Sequence, residues 1–538
     1  MEGATFCDRK GNGFRLGRRG LGSPVSLALT LALGLASSLV TTGAFADEPR
    51  SATEPRVMQE PGEVVNVIDA FDEGDAFDIA ISLGFQYSTK SAKIQRETNV
   101  FGPGLTSGGF TSNLMNVAQF SEQTSRLIPR VDIGLYKDLA LYFRAPIILN
   151  NSRELTGLDG SDRVQSVVLQ GAPGEQLFSL PFNSPDRSGL EYLAVGIDTS
   201  AFMNQARDRT KPTLLFGVEG RFSLGTPMHA CNPDAPSGQL KCAHPSDINR
   251  NGQRDVTAPN DPNNNLEGFD VSERDAGVTR GTIGLEVHTL VSKRIKYLEP
   301  YGGFSALFEF QQEDSDYGIT DLEGSLVNRP PIRGTMTLGL MIIPWENREK
   351  FGRLTFDLRV QGTYTSEGRD YSEIYDALGA STAASLRQPQ WAKYMANPAY
   401  NPDAQPGMEQ AHSIIDPQSQ KTYVTGLTDV QQYATIRGQA SVTWQASEYV
   451  KFNLGFGFTH DQKHGITADQ PCNPSFKDNP GATGPCNFKT DLSGGGELIT
   501  ATGIPNPNYR PTINAVGRRF WVGDSNTFDV FASGVVMF

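Results

Sequence analysis

Residues 247–255, Asp247-Ile-Asn249-Arg-Asn251-Gly252-Gln253-Arg-Asp255, set oxygen-bearing side chains on alternate positions around one glycine. Alternate oxygens can converge on one divalent cation, and the glycine permits the sharp turn between them. Asp247, Asn249, Asn251 and Asp255 would offer side chains, and Gln253 its backbone carbonyl. A polar loop without an ion is the rival reading. Cys231 and Cys242 lie just upstream, and Cys472 and Cys486 form a second local pair. An even count in an exported chain reads as disulfides, and local pairing is the simplest of about three connectivities. A zinc site is the alternative, but no His/Cys spacing supports it. Catalysis finds little footing. His288 has Ser292 four residues on, and His460 stands at a strand end, yet no nucleophile, base and orienting group form a constellation. A lone interior histidine is more often part of a hydrogen-bond network. We expect no enzyme.

These residues need elements to position them. Phe77, Ile79, Ile81, Leu83, Phe85 and Tyr87 alternate with Asp78, Ala80, Ser82, Gly84 and Gln86. Large apolar residues on one face and small or polar ones on the other suit a lipid-facing wall around a wet or narrow lumen. The pattern recurs over 214–224, 354–364 and 450–459. Weaker runs lie at 126–136, 139–149, 190–200, 280–291, 299–311, 334–344 and 433–444. The chain's last residues, Thr527 to Phe538, alternate in the same way. Runs of about 10 residues match the length that crosses a bilayer at barrel tilt. The connections alternate between short and long. Long ones cover 88–125, 150–189, 225–279, 312–333, 365–432 and 460–526.

The Thr527–Phe538 run resembles the closing strand of a Gram-negative outer-membrane β-barrel. The resemblance implies that Phe538 belongs to the signal read by the barrel-insertion machinery. Short turns would be periplasmic and long loops extracellular. We therefore expect an all-β fold, a single transmembrane antiparallel up-and-down barrel of about 12 strands over 77–538. An extra pair involving Gly517–Val522 would raise the count to 14. Residues 1–46 read as a cleaved signal, with Arg15, Arg18 and Arg19 before the apolar Leu21–Val40 and Ala44-Phe45-Ala46 at the cleavage site. Residues 47–76 read as a periplasmic tether, with the patch Val64-Val65-Asn66-Val67-Ile68 as a segment able to enter the lumen. Ser372 to Gly379 reads as a short helix, a lid or a surface helix.

The loop at 247–255 resembles the front half of an EF-hand or dockerin-type calcium loop. It departs at the twelfth position, where Ala258 stands in place of a bidentate Glu; Asp261 or Asp270 could substitute. The resemblance implies calcium of modest affinity.

The alternation assigns Asp132, Arg144, Glu219, Arg221, Glu286, His288, Asp357, Arg359, Arg437 and Lys451 to the lumen. Mixed sign argues against strong ion selectivity, and buried charges require water or partners. A formal net charge of −13 argues against nucleic acid, which needs a basic face. The expected function is an outer-membrane channel passing small polar solutes by passive or gated diffusion. The alternative is a non-conducting surface-binding or assembly barrel with a plugged lumen, and a lipid hydrolase is less supported. Outer-membrane lipid, the insertion machinery and the solutes are the expected partners.

Overall fold

The computed structural model describes Val67, Ile68, Ala70 and residues 78–538, apart from 102–109, 159–168, 256–269, 404–412, 416–420, 474–503 and positions 319, 321, 323, 392, 393, 397, 400, 402 and 448. The expected signal at 1–46, most of the tether at 47–76, and Cys486 lie outside the described residues.

Twelve antiparallel staves make the wall. They are β1 (Ile79–Phe101), β2 (Phe110–Tyr136), β3 (Leu139–Arg144 continued by Ile147–Gly157) and β4 (Arg187–Leu190 continued by Leu193–Met203). Then come β5 (Thr213–Phe222), β6 (Thr282–Ser292), β7 (Leu298–Gln311) and β8 (Arg333–Asn347). The last four are β9 (Gly352–Thr365), β10 (Tyr433–Gln445), β11 (Val450–Asp461) and β12 (Ser525–Met537). Each stave pairs with its neighbours in chain order, and β1 also pairs with β12 from Ala80 to Ser91, which closes the ring. Closure leaves no unpaired edge, the condition for a sheet to cross lipid. The Gly517–Val522 stretch adds no further stave: Phe520–Val522 prolongs β12, pairing Val522 with Ile94 of β1.

The period-2 pattern fixes which face is outside. Leu83, Phe85, Leu454, Phe456, Phe458, Phe528 and Val530 are exposed, while Ala80, Lys451, Gly455 and Asp529 on the alternate positions are buried. A continuous apolar surface of this extent suits hydrocarbon rather than water. The architecture is that of an outer-membrane β-barrel. No helix among the described residues is long and apolar enough to cross a membrane.

Three staves exceed their expected length, β3 running on to Gly157 within the expected 150–189 loop. β1 and β2 run on as a paired ribbon through 88–101 and 110–125, where the sequence suggested a loop. Outward residues there turn polar (Thr89, Ser91, Lys93), so the alternation that lipid imposes is lost although the ladder continues.

At the short-turn end the connections are tight. Asp138, Lys296 and Phe351 take positive φ of 54°, 55° and 53° to reverse the chain. At the other end the long connections form a dome with its own core. Ile94, Phe120, Leu155, Leu177, Leu378, Leu386, Ile466, Ile513 and Phe520 pack into one buried cluster. The helix expected near 372–379 is α1 (Tyr375–Gly379); it is a core element, with Tyr375 and Leu378 fully buried, rather than a surface helix. Among the described residues the dome also holds α2 (Ala384–Arg387) and α3 (Pro511–Asn514). Arginines bind loops whose carbonyls lack ladder partners. Arg510 donates to Leu386 O at 3.1 Å, Arg387 to Asp247 O at 2.9 Å, and Arg250 to Ala380 O at 2.7 Å. Charge-assisted bonds of this kind offset the burial of loop backbone.

Candidate functional site

The inner face holds the chemistry. β4, β5 and β6 place Asp198, Gly217 and His288 side by side. His288 Nε2 lies 2.9 Å from Asp198 Oδ1, directly over Gly217, where any Cβ would overlap both side chains. Arg130 of β2 joins Asp132 at 2.9 Å and Asp198 at 3.5 Å. One layer further from the short turns, Glu219 accepts from Arg144 at 2.6 Å, Arg221 at 2.6 Å and the Tyr142 hydroxyl at 2.9 Å. Arg221 also pairs with Glu286. Across the lumen, Arg359 bonds Asp357 at 3.0 Å, and Arg437 reaches Asp529 at 2.9 Å. The inward charges thus form a ladder of opposite signs along the wall, in which each carboxylate has a cation or donor.

Two tyrosines were not anticipated. Tyr142 on β3 lies flat over Gly196 of β4, and Tyr301 on β7 over Gly339 of β8; a Cβ on either glycine would overlap the ring. Each ring then reaches one strand further. The Tyr301 hydroxyl donates to Asp357 at 2.7 Å and lies 2.8 Å from Arg359 Nε. An inward aromatic facing a cross-strand glycine was the available signal. Such a pair buries a ring along the wall.

Between this wall and the chain's N-terminal part lies a cavity of about 380 Å³. Arg130, Asp132, Asp198, His288 and Lys451 line its polar side, and Leu215, Leu290 and Met537 its apolar side. Val67 and Ile68 border it from within the barrel, Val67 packing against Ala140, Leu215 and Leu290. The other mouth is spanned by the segment leading into α1. Lys90 of β1 bonds Glu373 at 2.8 Å, and Arg333 of β8 bonds Asp370 at 3.3 Å. β1 and β8 lie on nearly opposite sides of the ring, so these two pairs draw the segment across the opening.

His288 and Ser292 do not meet. Ser292 donates to Glu299 at 2.8 Å, and His288 Nδ1 has no hydrogen-bond partner among the described residues. His460 bonds Asn526.

In the dome, Cys231 and Cys242 form a disulfide. Cys472 is described but Cys486 is not. The 247–255 loop is a tight turn organised by its own side chains. Asp247 accepts from the N–H groups of Asn251 (3.0 Å) and Gly252 (2.9 Å), and Asp255 from those of Ile248 (2.7 Å) and Asn249 (3.2 Å). Asn249 and Asn251 accept from Asn251 N and Gln253 N. Among the described residues no three acidic, His or Cys groups converge as a cation would require. Within the loop the carboxylates are Asp247 and Asp255, beside amide and carbonyl oxygens; Asp270 is bridged to Gln253, and Asp261 lies outside the described residues.

No protein-family model and no curated protein sequence matches this chain. Solved structures similar to it are barrels. A Pseudomonas aeruginosa FadL homologue aligns at 8% identity and TM-score 0.29, over 86% of this chain and 90% of its own. The P. putida toluene transporter TodX aligns at 9% and 0.27, over 86% and 90%. The outer membrane protease OmpT from Escherichia coli aligns at 7% and 0.22, over 86% and 96%. The likeness is one of barrel with barrel. Scores this low carry nothing about solute or chemistry, so function must be argued from the lumen itself.

Proposed function

We propose that this chain is a gated outer-membrane channel for small polar solutes, zwitterionic ones among them. The observation that carries the reading is the cavity of about 380 Å³ whose polar side presents both signs, Arg130 and Lys451 with Asp132 and Asp198. A zwitterion can exchange its hydration for such a wall without an uncompensated charge. The paired ladder along the route favours neither cations nor anions. The orientation we adopt puts the dome outside the cell and the short turns in the periplasm.

The test is single-channel conductance of the refolded chain from Asp47 on, in a planar bilayer, with and without calcium. Stable steps with little cation or anion preference are expected. A folded barrel that stays silent even after its closures are loosened would sink the channel reading and favour the non-conducting barrel, with the dome as a binding surface.

A further inference from the structure

The barrel closes at the seam between β1 and β12, and the seam carries a defect. Ser91 faces Asn526, but Ile94 faces Val522, so β12 holds one extra residue and bulges at Gly523–Asp524. Gly523 N–H still donates to Lys93 O at 2.7 Å. The bulge opens a notch of about 420 Å³ in the outer surface of the wall. Lys93, Lys463, Gln95, Gln119, Asn526 and Asp524 line it.

Both lysines are exposed at the notch. Neither Lys93 nor Lys463 has an ion-pair partner among the described residues; the Lys463 ammonium only stands 6.0 Å from the Trp521 ring. Two unmatched ammonium groups beside three primary amides and an indole make a seat for a phosphate carried on a sugar. Gln119 Nε2 is committed to Ser91 Oγ and Ala92 O, Gln95 Nε2 to Asn116, and Asn526 Oδ1 to His460. Gln119 Oε1 and Asn526 Nδ2 are therefore the amide groups left to meet sugar hydroxyls, while the ring takes a sugar face and the lysines take the phosphate as point charges. Asp524 opposes a bare anion, and a divalent cation bridging it to the phosphate would turn that repulsion into a contact.

Height decides between kinds of lipid. On the two seam staves the exposed aromatics of the wall reach Phe528 of β12, which faces Thr89 of β1, and Lys93 is the second outward position beyond Thr89. At about 3.3 Å per residue and a tilt of about 40°, the notch sits roughly 10 Å above Phe528. A phospholipid headgroup zone is only about 5–7 Å deep per leaflet. A ligand that fills the notch must therefore have a headgroup extending well beyond a glycerophosphate.

We propose that the seam notch binds the phosphorylated sugar headgroup of an outer-leaflet glycolipid. The proposal rests on the orientation adopted above, with the dome end outside. The lipid then clamps the seam by holding β1 and β12 together where their pairing is interrupted.

The experiment is native mass spectrometry and equilibrium binding on the refolded full-length barrel in detergent. The probes are bis-phosphorylated lipid A, the same lipid with its phosphates removed, phosphatidylglycerol and inorganic phosphate. We expect the bis-phosphorylated glycolipid to bind, the dephosphorylated form to bind at least tenfold more weakly, and Lys93→Gln with Lys463→Gln to cause a similar loss. Gln119→Ala with Asn526→Ala should weaken the glycolipid but leave inorganic phosphate unaffected. Unchanged glycolipid affinity in the double lysine variant would overturn the proposal. So would equal binding of phosphatidylglycerol, or of inorganic phosphate alone at the same concentration. Folding is checked by the heat-dependent gel shift of the intact barrel. Conductance is a separate readout: a silent barrel that still binds glycolipid would sink the channel reading and leave this site standing.

Discussion

Tyr142 and Tyr301 reach their carboxylates only because glycines lie beneath them. Gly196→Ala would push the Tyr142 ring off β4 and lengthen its bond to Glu219, now 2.9 Å. Overpacking of this kind costs about 1–3 kcal/mol. Tyr142→Phe removes one hydrogen bond and leaves Glu219 with two arginines, so about 1 kcal/mol is expected. Urea unfolding in lipid vesicles should show the Gly196→Ala/Tyr142→Ala double variant to be less destabilised than the sum of the single variants, since removing the ring removes the clash. Strict additivity would mean that the ring does not rest on the glycine. A second residue-scale consequence lies in the dome, where Asp429 faces Asp469 and Glu367, with Arg369 beside them. Burial, reinforced by the two carboxylates, raises the Asp429 carboxyl to about 9 against a partial opposing pull from Arg369. The folded dome therefore holds a proton that the unfolded chain releases near 3.8. Folded protein binds more protons across that window, so the dome loses stability as pH rises from about 4 towards 9. Asp429→Asn keeps the shape without the proton. It should flatten this dependence and slow proteolysis of the dome at pH 8 relative to the parent. An equal pH dependence in both proteins would assign the effect elsewhere.

At the scale of elements, the staves were legible because lipid writes on one face only. All twelve runs read from alternation correspond to staves, and the Phe77–Tyr87 pattern marks the membrane portion of β1 well. What lipid does not touch was not legible. The ribbon at 88–101 and 110–125 has polar residues on its outer face, and apolar ones such as Ile94 and Phe120 turned into the dome core, so the lipid-facing alternation is absent and its sequence resembles a loop. The dome core draws on residues distant in sequence, such as Ile94, Leu169, Leu386 and Ile513, and no local period announces such a cluster. The partners of the charges on the inner face follow from strand register, which no local pattern displays, and the seam notch follows from a single-residue bulge. The 247–255 turn is legible as a turn, since Asx side chains that cap their own backbone prescribe it. Whether it takes calcium is a separate matter, which we propose and put to a test. Asp247→Ala or Asp255→Ala removes acceptors for two N–H groups each and should speed protease cleavage between Cys231 and Cys242 and the loop beyond. Calcium in the 10⁻⁴–10⁻³ M range typical of extracellular modules should slow cleavage of the parent and not of the variants. A parent indifferent to calcium would leave the turn a hydrogen-bonded structure alone.

At the scale of the whole molecule, the barrel has a closure at each end, and the two differ in chemistry. Val67 is held by apolar contact with Ala140, Leu215 and Leu290. The opposite segment is held by ion pairs, Lys90 with Glu373 and Arg333 with Asp370. Salt and substitution should therefore act on them separately. Val67→Asp places a charge in an apolar seat without a partner, at a cost of several kcal/mol, and should expel the segment. Glu373→Gln with Asp370→Asn leaves Lys90 and Arg333 without their partners in the dome segment and should free it from the wall, while α1 stays anchored through Arg187, whose guanidinium bonds Asp376 at 2.7 Å and 3.1 Å. If the closures act in series, each variant alone should give short, rare openings in a planar bilayer, and the combined variant long ones. Raising ionic strength should increase open time in the Val67→Asp background, because screening weakens partly exposed pairs, and leave the dome variant little changed. Long openings in either single variant would mean that one closure governs the route. A combined variant that folds and still conducts nothing would place the block in the paired ladder between them, around Glu219 and Arg221, and the barrel would then be a scaffold for its dome.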